Sequence, residues 1–235
     1  GRGVGGIPPM IRELPGANYA ITTNGAVIAD LKTNKAIRTC GLSNEMVQRI
    51  LNIAKKYHSA TDPFIDGRAI TQPSSIDHMD EFGLSPQMQK LIRDTREVVP
   101  DVMEYVKTTG AQAEKINIFM ADLEEREILR RELMAMPELS ISSSMYNNLE
   151  VNAKGADKGS ALLWLADHLG ISREETMAFG DGENDIPMIK DAGIGVAMEN
   201  ALDAVKEAAD TITLNNDEDG VAAAIRKFIF GSSEE

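Results

Sequence analysis

The sequence has little or none of several features that mark specialised classes of protein. Cys40 is the one cysteine among 235 residues, which excludes a disulfide scaffold and suits a reducing cytoplasm. No apolar run approaches the roughly 18 residues of a membrane span; the longest, 161–166, has the length of a short helix face. The hydrophobic content of 43% excludes a disordered chain. We therefore expect a cytoplasmic globular protein.

Positive charge is also scarce. The chain has 24 Lys+Arg against 37 Asp+Glu, so 24 − 37 gives a net charge of −13. Residues 151–235 hold 7 basic and 17 acidic side chains, and 7 − 17 gives −10 in that segment alone. A nucleic-acid partner is not expected, because binding to a phosphate backbone needs a basic face. The acidic segment is either a solvated surface or the site of a divalent cation.

The last third of the chain alternates between helix and strand patterns. The patterns predict helices over 158–168, 186–192, 201–209 and 220–229, and strands over 176–179, 194–198 and 211–214. Short apolar strands that alternate with helices are typical of a parallel sheet with helices on its faces. Ligands bind at the carboxyl ends of such strands. The loop that begins at Asp181 follows one of these ends.

The middle of the chain has a different, α+β pattern. It predicts helices over 44–57, within 86–107 and over 123–136, strands over 64–71 and 116–120, and two short strands within 139–151. Before it, a strand is predicted over 19–22 and a hairpin over 27–30 and 36–39, turning near Asn34. These patterns predict an α/β core formed by 1–41 and 150–235, interrupted by an inserted α+β domain over 42–149.

The segment Gly180-Asp181-Gly182-Glu183-Asn184-Asp185 carries the clearest chemistry. Asp181 and Asp185 are four residues apart across a strand-to-helix turn, so both carboxylates can face one space. A pair of carboxylates suits Mg²⁺, which completes its ligands with water and substrate phosphate. An acidic loop that caps a helix is the alternative. An EF-hand is excluded because its sixth position, Ile186, is not glycine.

A second motif, Lys158-Gly159-Ser160-Ala161-Leu162, precedes the acidic loop by one helix and one strand. A lysine at a helix start can bind a phosphate oxygen and neutralise charge that develops during phosphoryl transfer. By itself the motif is weak, because a lysine beside a glycine is usually a surface residue.

Together the two motifs resemble motifs three and four of the haloacid-dehalogenase (HAD) superfamily. The strand followed by Asn24-Gly25-Ala26 and the segments 193–201 and 217–222 are similar to the same family, so the resemblance covers essentially the whole chain. The inserted stretch resembles the C2-type cap of Cof-like phosphatases. The resemblance implies a Rossmann-like HAD core with a parallel sheet and a C2-type α+β cap.

The resemblance also implies a reaction and roles for residues. Phosphoryl transfer would pass through an aspartyl-phosphate, with Mg²⁺ as the cofactor. Asp181 would be a Mg²⁺ ligand, and Asp185 would support the metal site or Lys158. Lys158 and Asn184 would bind the phosphate. Gly1-Arg2 would be the end of motif two, which holds the phosphoryl group.

The sequence departs from the family pattern at motif one, Asp-x-Asp-Gly-Thr, which carries the nucleophile and is absent. We expect the sequence to be an N-terminally incomplete copy of a longer protein, with the nucleophile upstream of Gly1 and the first core strands missing. Two similar strings are not expected to replace the motif. Residues 217–220 stand before the last helix, and Ile65-Asp66-Gly67-Arg68 is predicted to form a hairpin turn.

These features predict a Mg²⁺-dependent HAD phosphatase that acts on small phosphorylated metabolites such as sugar phosphates. The alternatives are a phosphomutase, a narrower phosphatase for phosphoglycolate or sucrose phosphate, and a non-catalytic protein that binds Mg²⁺ and phosphate. No membrane or nucleic-acid partner is expected, and the sequence gives no signal for an oligomeric state.

Overall fold

The computed structural model describes residues 3–231. The chain divides between Ala156 and Asp157 into two compact units, here called the N-terminal unit and the C-terminal unit. None of the helices within residues 3–231 has the length and apolar character of a membrane span. The predicted domain boundaries at residues 42 and 149 stay predictions.

The N-terminal unit contains two sheets and the helices that surround them. Its strands are β1 (Tyr19–Thr22), β2 (Val27–Asp30), β3 (Lys35–Thr39), β4 (Ala60–Ile65), β5 (Arg68–Thr71), β6 (Arg96–Val98), β7 (Lys115–Phe119), β8 (Leu139–Ser142) and β9 (Asn148–Ala153). Its helices are α1 (Pro9–Arg12), α2 (Asn44–Ala54), α3 (Pro73–Asp77), α4 (Pro86–Thr95), α5 (Val102–Thr109) and α6 (Leu123–Met134). The small sheet has the order β1-β2-β3, and the large sheet has the order β6-β5-β4-β7-β9-β8.

The predicted hairpin of β2 and β3 is confirmed, and Asn34 at its turn has a positive φ of 55°. The single strand over 64–71 is wrong, because the chain reverses between β4 and β5. Asp66 and Gly67, at φ 49° and 75°, form the two-residue turn, which suits an Asp-Gly pair. The hairpin predicted at this point is therefore confirmed. The helical pattern over 86–107 is interrupted by β6, which lies between α4 and α5.

The two faces of the large sheet differ, because side chains alternate along its strands. One face is apolar, and the other, here called the polar face, carries polar side chains beside a smaller apolar cluster that includes Phe119. In β7, Ile116 and Ile118 are fully buried in an apolar core that includes residues of α2, α5 and α6. Leu149 and Val151 of β9 belong to the same core. The residues between them lie on the opposite face, where Asn117 stands opposite Glu150 in the antiparallel register.

A buried ion pair lies on the polar face. The Lys115 ammonium and the Glu150 carboxylate are 2.5 Å apart, and their side chains are only 1% and 2% exposed. Burial is the largest single influence and raises the pKa of Glu150, but nearby positive charge, chiefly that of Lys115, and the hydrogen bonds from Lys115 and Asn24 together outweigh it, and the pKa lies below its ordinary value. Asn24, held in the left-handed region at φ 60°, donates to the other Glu150 oxygen at 2.8 Å. The Asn-Gly-Ala segment is thereby tied to the large sheet.

We expect Lys115→Met to lower the free energy of unfolding by about 3–5 kcal/mol, because the Glu150 carboxylate would stay buried without its cation. The double variant Lys115→Met/Glu150→Met should unfold closer to the wild type than the single variant does. Urea unfolding followed by circular dichroism measures both effects. The matched control is Lys55→Met at an exposed position, which should change stability by less than about 0.5 kcal/mol. If Lys115→Met were as stable as the control Lys55→Met, the Lys115–Glu150 pair would not have the proposed role.

The C-terminal unit is a parallel sheet with helices between its strands, as predicted. Its strands are β10 (Met177–Gly180), β11 (Ile194–Ala197) and β12 (Thr211–Ile212), in the order β10-β11-β12. Its helices are α7 (Lys158–His168), α8 (Ile186–Asp191), α9 (Asp203–Ala208) and α10 (Gly220–Ile229). Both strand pairs are parallel. The α/β class is therefore confirmed.

Helix α7 approaches the start of α8 so closely that only a glycine fits between them. A Cβ atom on Gly159 would lie 2.3 Å from the Asp191 carboxylate and 2.6 Å from the Pro187 carbonyl oxygen. At these distances the backbones of the two helices would have to separate. The glycine of the Lys-Gly motif is thus a packing requirement.

We expect Gly159→Ala to destabilise the protein by about 1–3 kcal/mol, because the added methyl group overpacks the contact between α7 and α8. The same substitution at Gly5, where the nearest atom to the new Cβ is 3.7 Å away, is the matched control. Thermal unfolding of both variants measures the difference. A Gly159→Ala protein as stable as the Gly5→Ala protein would show that the helices are not packed in this way.

Candidate functional site at the carboxyl ends of the parallel strands

The acidic loop predicted from the sequence follows the carboxyl end of β10. The chain passes through Asp181 and Gly182, makes one short turn over Glu183–Asp185, and enters α8 at Ile186. Asp181 is exposed, whereas Asn184 and Asp185 are buried. The loop therefore presents one carboxylate to solvent and holds the other beneath it.

The Asp185 carboxylate organises this loop. Its Oδ2 accepts hydrogen bonds from the backbone N–H groups of Asp181 at 3.0 Å and Gly182 at 3.1 Å. Its Oδ1 accepts a hydrogen bond from Lys158 Nζ, with which it forms an ion pair. The Asp185 side chain is 8% exposed and the Lys158 side chain 21%, so water screens this pair less than it screens a surface pair. One carboxylate thus fixes both the loop and the lysine.

Gly180 makes this arrangement possible. A Cβ atom on Gly180 would lie 2.3 Å from Cβ of Asp185 and 2.8 Å from its carboxyl carbon. Any larger residue at the end of β10 would therefore push Asp185 away from the two backbone N–H groups that donate hydrogen bonds to it. The first glycine of the Gly-Asp-Gly segment is required by this close approach.

Lys158 reaches Asp185 because of the way in which α7 begins. Asp157 caps the helix by accepting from the backbone N–H of Ser160 at 2.8 Å, which makes Lys158 the first helical residue. The contact of Gly159 with Pro187 then sets this helix end against the start of α8. The Lys-Gly motif therefore supplies a positive charge and the close packing that places it.

Asn200 is a candidate site residue that the sequence analysis missed. It follows β11, and its side-chain amide donates to Oδ2 of Asp181 at 3.3 Å. Its side-chain oxygen accepts from the backbone N–H of Asn216, which follows β12, at 3.0 Å. Asn200 thus links the loops after all three strands. Its position just after a predicted parallel strand could have identified it, because ligand sites form where neighbouring parallel strands end.

The structure brings Lys158, Asp181 and Asp185 together, with Asn184 in the same loop. Gly1 and Arg2, predicted to bind phosphate, lie outside the described residues. The segment 217–220, which is similar to the missing nucleophile motif, leads into α10. Asp219 is the residue before the helix and has a positive φ of 55°. Residues 65–68 form the hairpin turn described above.

The donor set fits a Mg²⁺ ion that is bound by few protein groups. Within residues 3–231, no three His, Cys, Asp or Glu side chains are grouped so that they could hold a metal ion by themselves. Mg²⁺ does not need such a group, because one or two carboxylates suffice when waters and a substrate phosphate complete its ligands. The exposed Asp181 carboxylate fits this role. Both oxygens of Asp185 already accept hydrogen bonds, which fits the role of support for Lys158 and the loop.

Comparisons with known proteins bear on the family to which this chain belongs. The haloacid dehalogenase-like hydrolase family matches residues 1–225. A curated relative, the 5-amino-6-(5-phospho-D-ribitylamino)uracil phosphatase YcsE of Bacillus subtilis, is 50% identical over 114 residues, which are 47% of this chain and 46% of the relative. The chain spans about half or less of the length of the first curated relatives that it matches.

Two solved structures share the fold over most of the chain. A haloacid dehalogenase-like hydrolase from B. subtilis has a TM-score of 0.79 at 26% identity, over 89% of this chain and 79% of its own. The HAD subclass IIB sugar phosphatase BT4131 has a TM-score of 0.72 at 27% identity, over 90% of this chain and 75% of its own. The predicted family and fold are confirmed: this chain belongs to the haloacid dehalogenase-like hydrolases.

Proposed function

We propose that the protein is a Mg²⁺-dependent phosphatase that hydrolyses small, sugar-phosphate-like metabolites through an aspartyl-phosphate. The observation that carries the proposal is the Lys158–Asp185 ion pair beneath the Asp181 loop, at the carboxyl end of a parallel strand. A lysine and a carboxylate site for a cation are two of the groups that phosphoryl transfer needs. The names of the relatives, which include a ribitylaminouracil phosphatase and a sugar phosphatase, support this class of substrate.

The residues of this chain would bind and orient the phosphoryl group. Lys158 offers N–H donors and a positive charge to phosphate oxygens, and Asp185 keeps its ammonium in place. Asn184 would bind the phosphate from the same loop. Asp181 would ligate Mg²⁺, which when bound shields the negative charge of the phosphoryl group.

In the proposed reaction, an aspartate carboxylate attacks phosphorus and the ester P–O bond breaks. The leaving oxygen takes a proton from a second aspartate, and water then attacks phosphorus to release phosphate and restore the nucleophile. We propose that both aspartates come from a segment upstream of Gly1, because the motif that carries them is absent from this sequence. Sequencing the natural N terminus of the protein checks this point.

In the protein as its gene encodes it, we expect Asp181→Asn to lower Mg²⁺-dependent phosphate release by about 100-fold or more, because the cation loses a charged ligand. A chelator should abolish the wild-type activity, and added Mg²⁺ should restore it. The matched control is Asp217→Asn, an exposed acidic residue in the same unit, whose rate should stay within about twofold of the wild type.

Four results would contradict these assignments. Unchanged kinetics of Asp181→Asn would exclude Asp181 as a metal ligand. A large loss of rate in Asp217→Asn would indicate that residues 217–220 take the place of the missing nucleophile motif. A wild-type protein that binds Mg²⁺ and phosphate but releases phosphate from no ester would favour the non-catalytic alternative. Formation of an isomer instead of free phosphate from hexose phosphates would favour a phosphomutase.

Asn200 is expected to act on activity through Asp181. Asn200→Ala should raise the Mg²⁺ concentration for half-maximal activity by about tenfold, since a residue that orients a metal ligand typically contributes 10- to 100-fold in affinity. The rate at saturating Mg²⁺ should change much less. Asn216→Ala is the control, because that residue contacts Asn200 through its backbone. An equal loss of rate at every Mg²⁺ concentration would show that Asn200 does not position the ligand.

A further inference from the structure

Helix α6 packs over β8 and β9 at one end of the large sheet. Its inner face carries Leu129 and Leu133, which are fully buried in the apolar core. Another set of residues recurs along the helix at spacings of four, three and four residues, which places its members on one different face. This set, here called the outer stripe, consists of Leu123, Glu127, Arg130 and Met134.

The outer stripe is complementary to a second copy of itself. Leu123 and Met134, the first and last residues of α6, are 47% and 60% exposed. Between them lie an acidic residue, Glu127, whose side chain is 54% exposed, and a basic residue, Arg130. If a second α6 lies antiparallel across the first, Leu123 meets Met134 of the second copy. Glu127 then meets Arg130 of the second copy, so apolar ends and opposite charges are matched twice.

The contacts of α6 show which way the outer stripe faces. Successive helical residues are about 100° apart, so Glu132 and Arg126 lie on opposite sides of the buried face. Glu132 contacts Lys56, which follows α2. Arg126 contacts the Ser143 hydroxyl, which follows β8. The outer stripe follows Arg126 around the helix and therefore faces away from α2. Because α2 contacts β4 inside the sheet, this direction leads to the outer edge of β8.

The outer edge of β8 is open to pairing. Strand β9 occupies one side of β8, and within residues 3–231 no strand occupies the other. The Lys154 N–H donates to the Glu138 carbonyl oxygen at 2.8 Å, so the Glu138 backbone faces β9. By alternation, the N–H and C=O groups of Ile141 face the open side. The strand has no charge, proline or bulge, the features that usually block an edge, whereas β6 at the other end contains two charged residues.

One two-fold axis can serve both elements. An axis perpendicular to the sheet beside Ile141 would pair β8 with a second β8 and reverse α6 as well. Arg126 lies beside Ser143 at one end of β8, and the short connection 135–138 joins Met134 to its other end, so Ile141 lies beside the middle of α6. Neighbouring strands are about 4.8 Å apart, so two α6 helices that each cover β8 and β9 would be separated by about 10 Å, a normal distance for packed helices.

We propose that a second copy of this chain binds here and forms a symmetric dimer. The two large sheets join through β8, and the two α6 helices pack through their outer stripes. A partner of another sequence would have to present the same apolar ends and the same charges in reversed order, whereas a second copy does so by symmetry. The interface uses none of the residues assigned to the phosphatase chemistry.

The test compares the solution masses of the wild type and two charge-reversed variants, Glu127→Arg and Arg130→Glu, by size-exclusion chromatography with light scattering. The wild type should have twice the mass of one chain. Each variant should raise the dissociation constant of the dimer by about 100-fold, because like charges then meet twice across the axis. An equimolar mixture should restore the dimer, since one variant supplies only arginines and the other only glutamates at these contacts. Lys107→Glu, an exposed reversal on α5, is the matched control and should dimerise like the wild type.

Hydrogen exchange at Ile141 tests the strand edge separately. Its amide should exchange more slowly in the wild-type dimer than in either monomeric variant, whose fold is checked by circular dichroism. A monomeric wild type, a single variant that dimerises as well as the wild type, or a mixture that stays monomeric overturns the proposal. If both variants fail to fold, the wild type still decides, because a monomer or a dimer with an unprotected Ile141 amide overturns it.

Discussion

The candidate site depends on the Asp185 carboxylate. Its two oxygens divide their contacts, one to the backbone of the loop and the other to the Lys158 ammonium on a different helix. The nearby glycines follow from this arrangement. Gly180 makes room for Asp185, and Gly159 lets α7 come close enough to deliver the lysine. The position of Asp181 at the surface follows too, because its own backbone N–H is held by the carboxylate below it. A pair of motifs separated by a helix and a strand is therefore one constellation built around one side chain.

Much of the fold could be predicted, because local sequence patterns determine where many of its helices and strands begin and end. Helices α7 and α10 begin and end where periodicity and the flanking residues place them, and the parallel strands of the C-terminal unit differ from the prediction by one or two residues. The errors occurred where two elements share one apolar pattern. Residues 64–71 have strand-forming character throughout, and only the Asp-Gly pair marks the reversal. Arg96–Val98 interrupts a helical pattern because those residues pair with β5, a long-range contact that no local periodicity reports.

The site could be predicted only in part, for a related reason. Lys158, Asp181 and Asp185 lie in motifs whose spacing carries their chemistry. Asn200 belongs to neither motif. It contacts Asp181 because the loop after β11 lies beside the loop after β10. The polar face of the large sheet was missed although its signal is present. Lys115, Asn117 and Phe119 alternate with two isoleucines, and this period of two would have placed the lysine and the asparagine on one face. Their burial could not be predicted, because a period of two does not show whether a polar face is covered or exposed to solvent.

The buried Lys115–Glu150 pair also has a consequence for how the chain finds its strand register. A slip of one residue between β7 and its neighbours would turn Lys115 and Asn117 into the apolar core and Ile116 onto the polar face. Sheets with an apolar core penalise such slips only through lost hydrophobic contact. Here the misaligned strand would also place an ammonium among Leu149, Val151 and the helix side chains, far from any carboxylate. The buried pair thus disfavours the misaligned registers in addition to stabilising the native one.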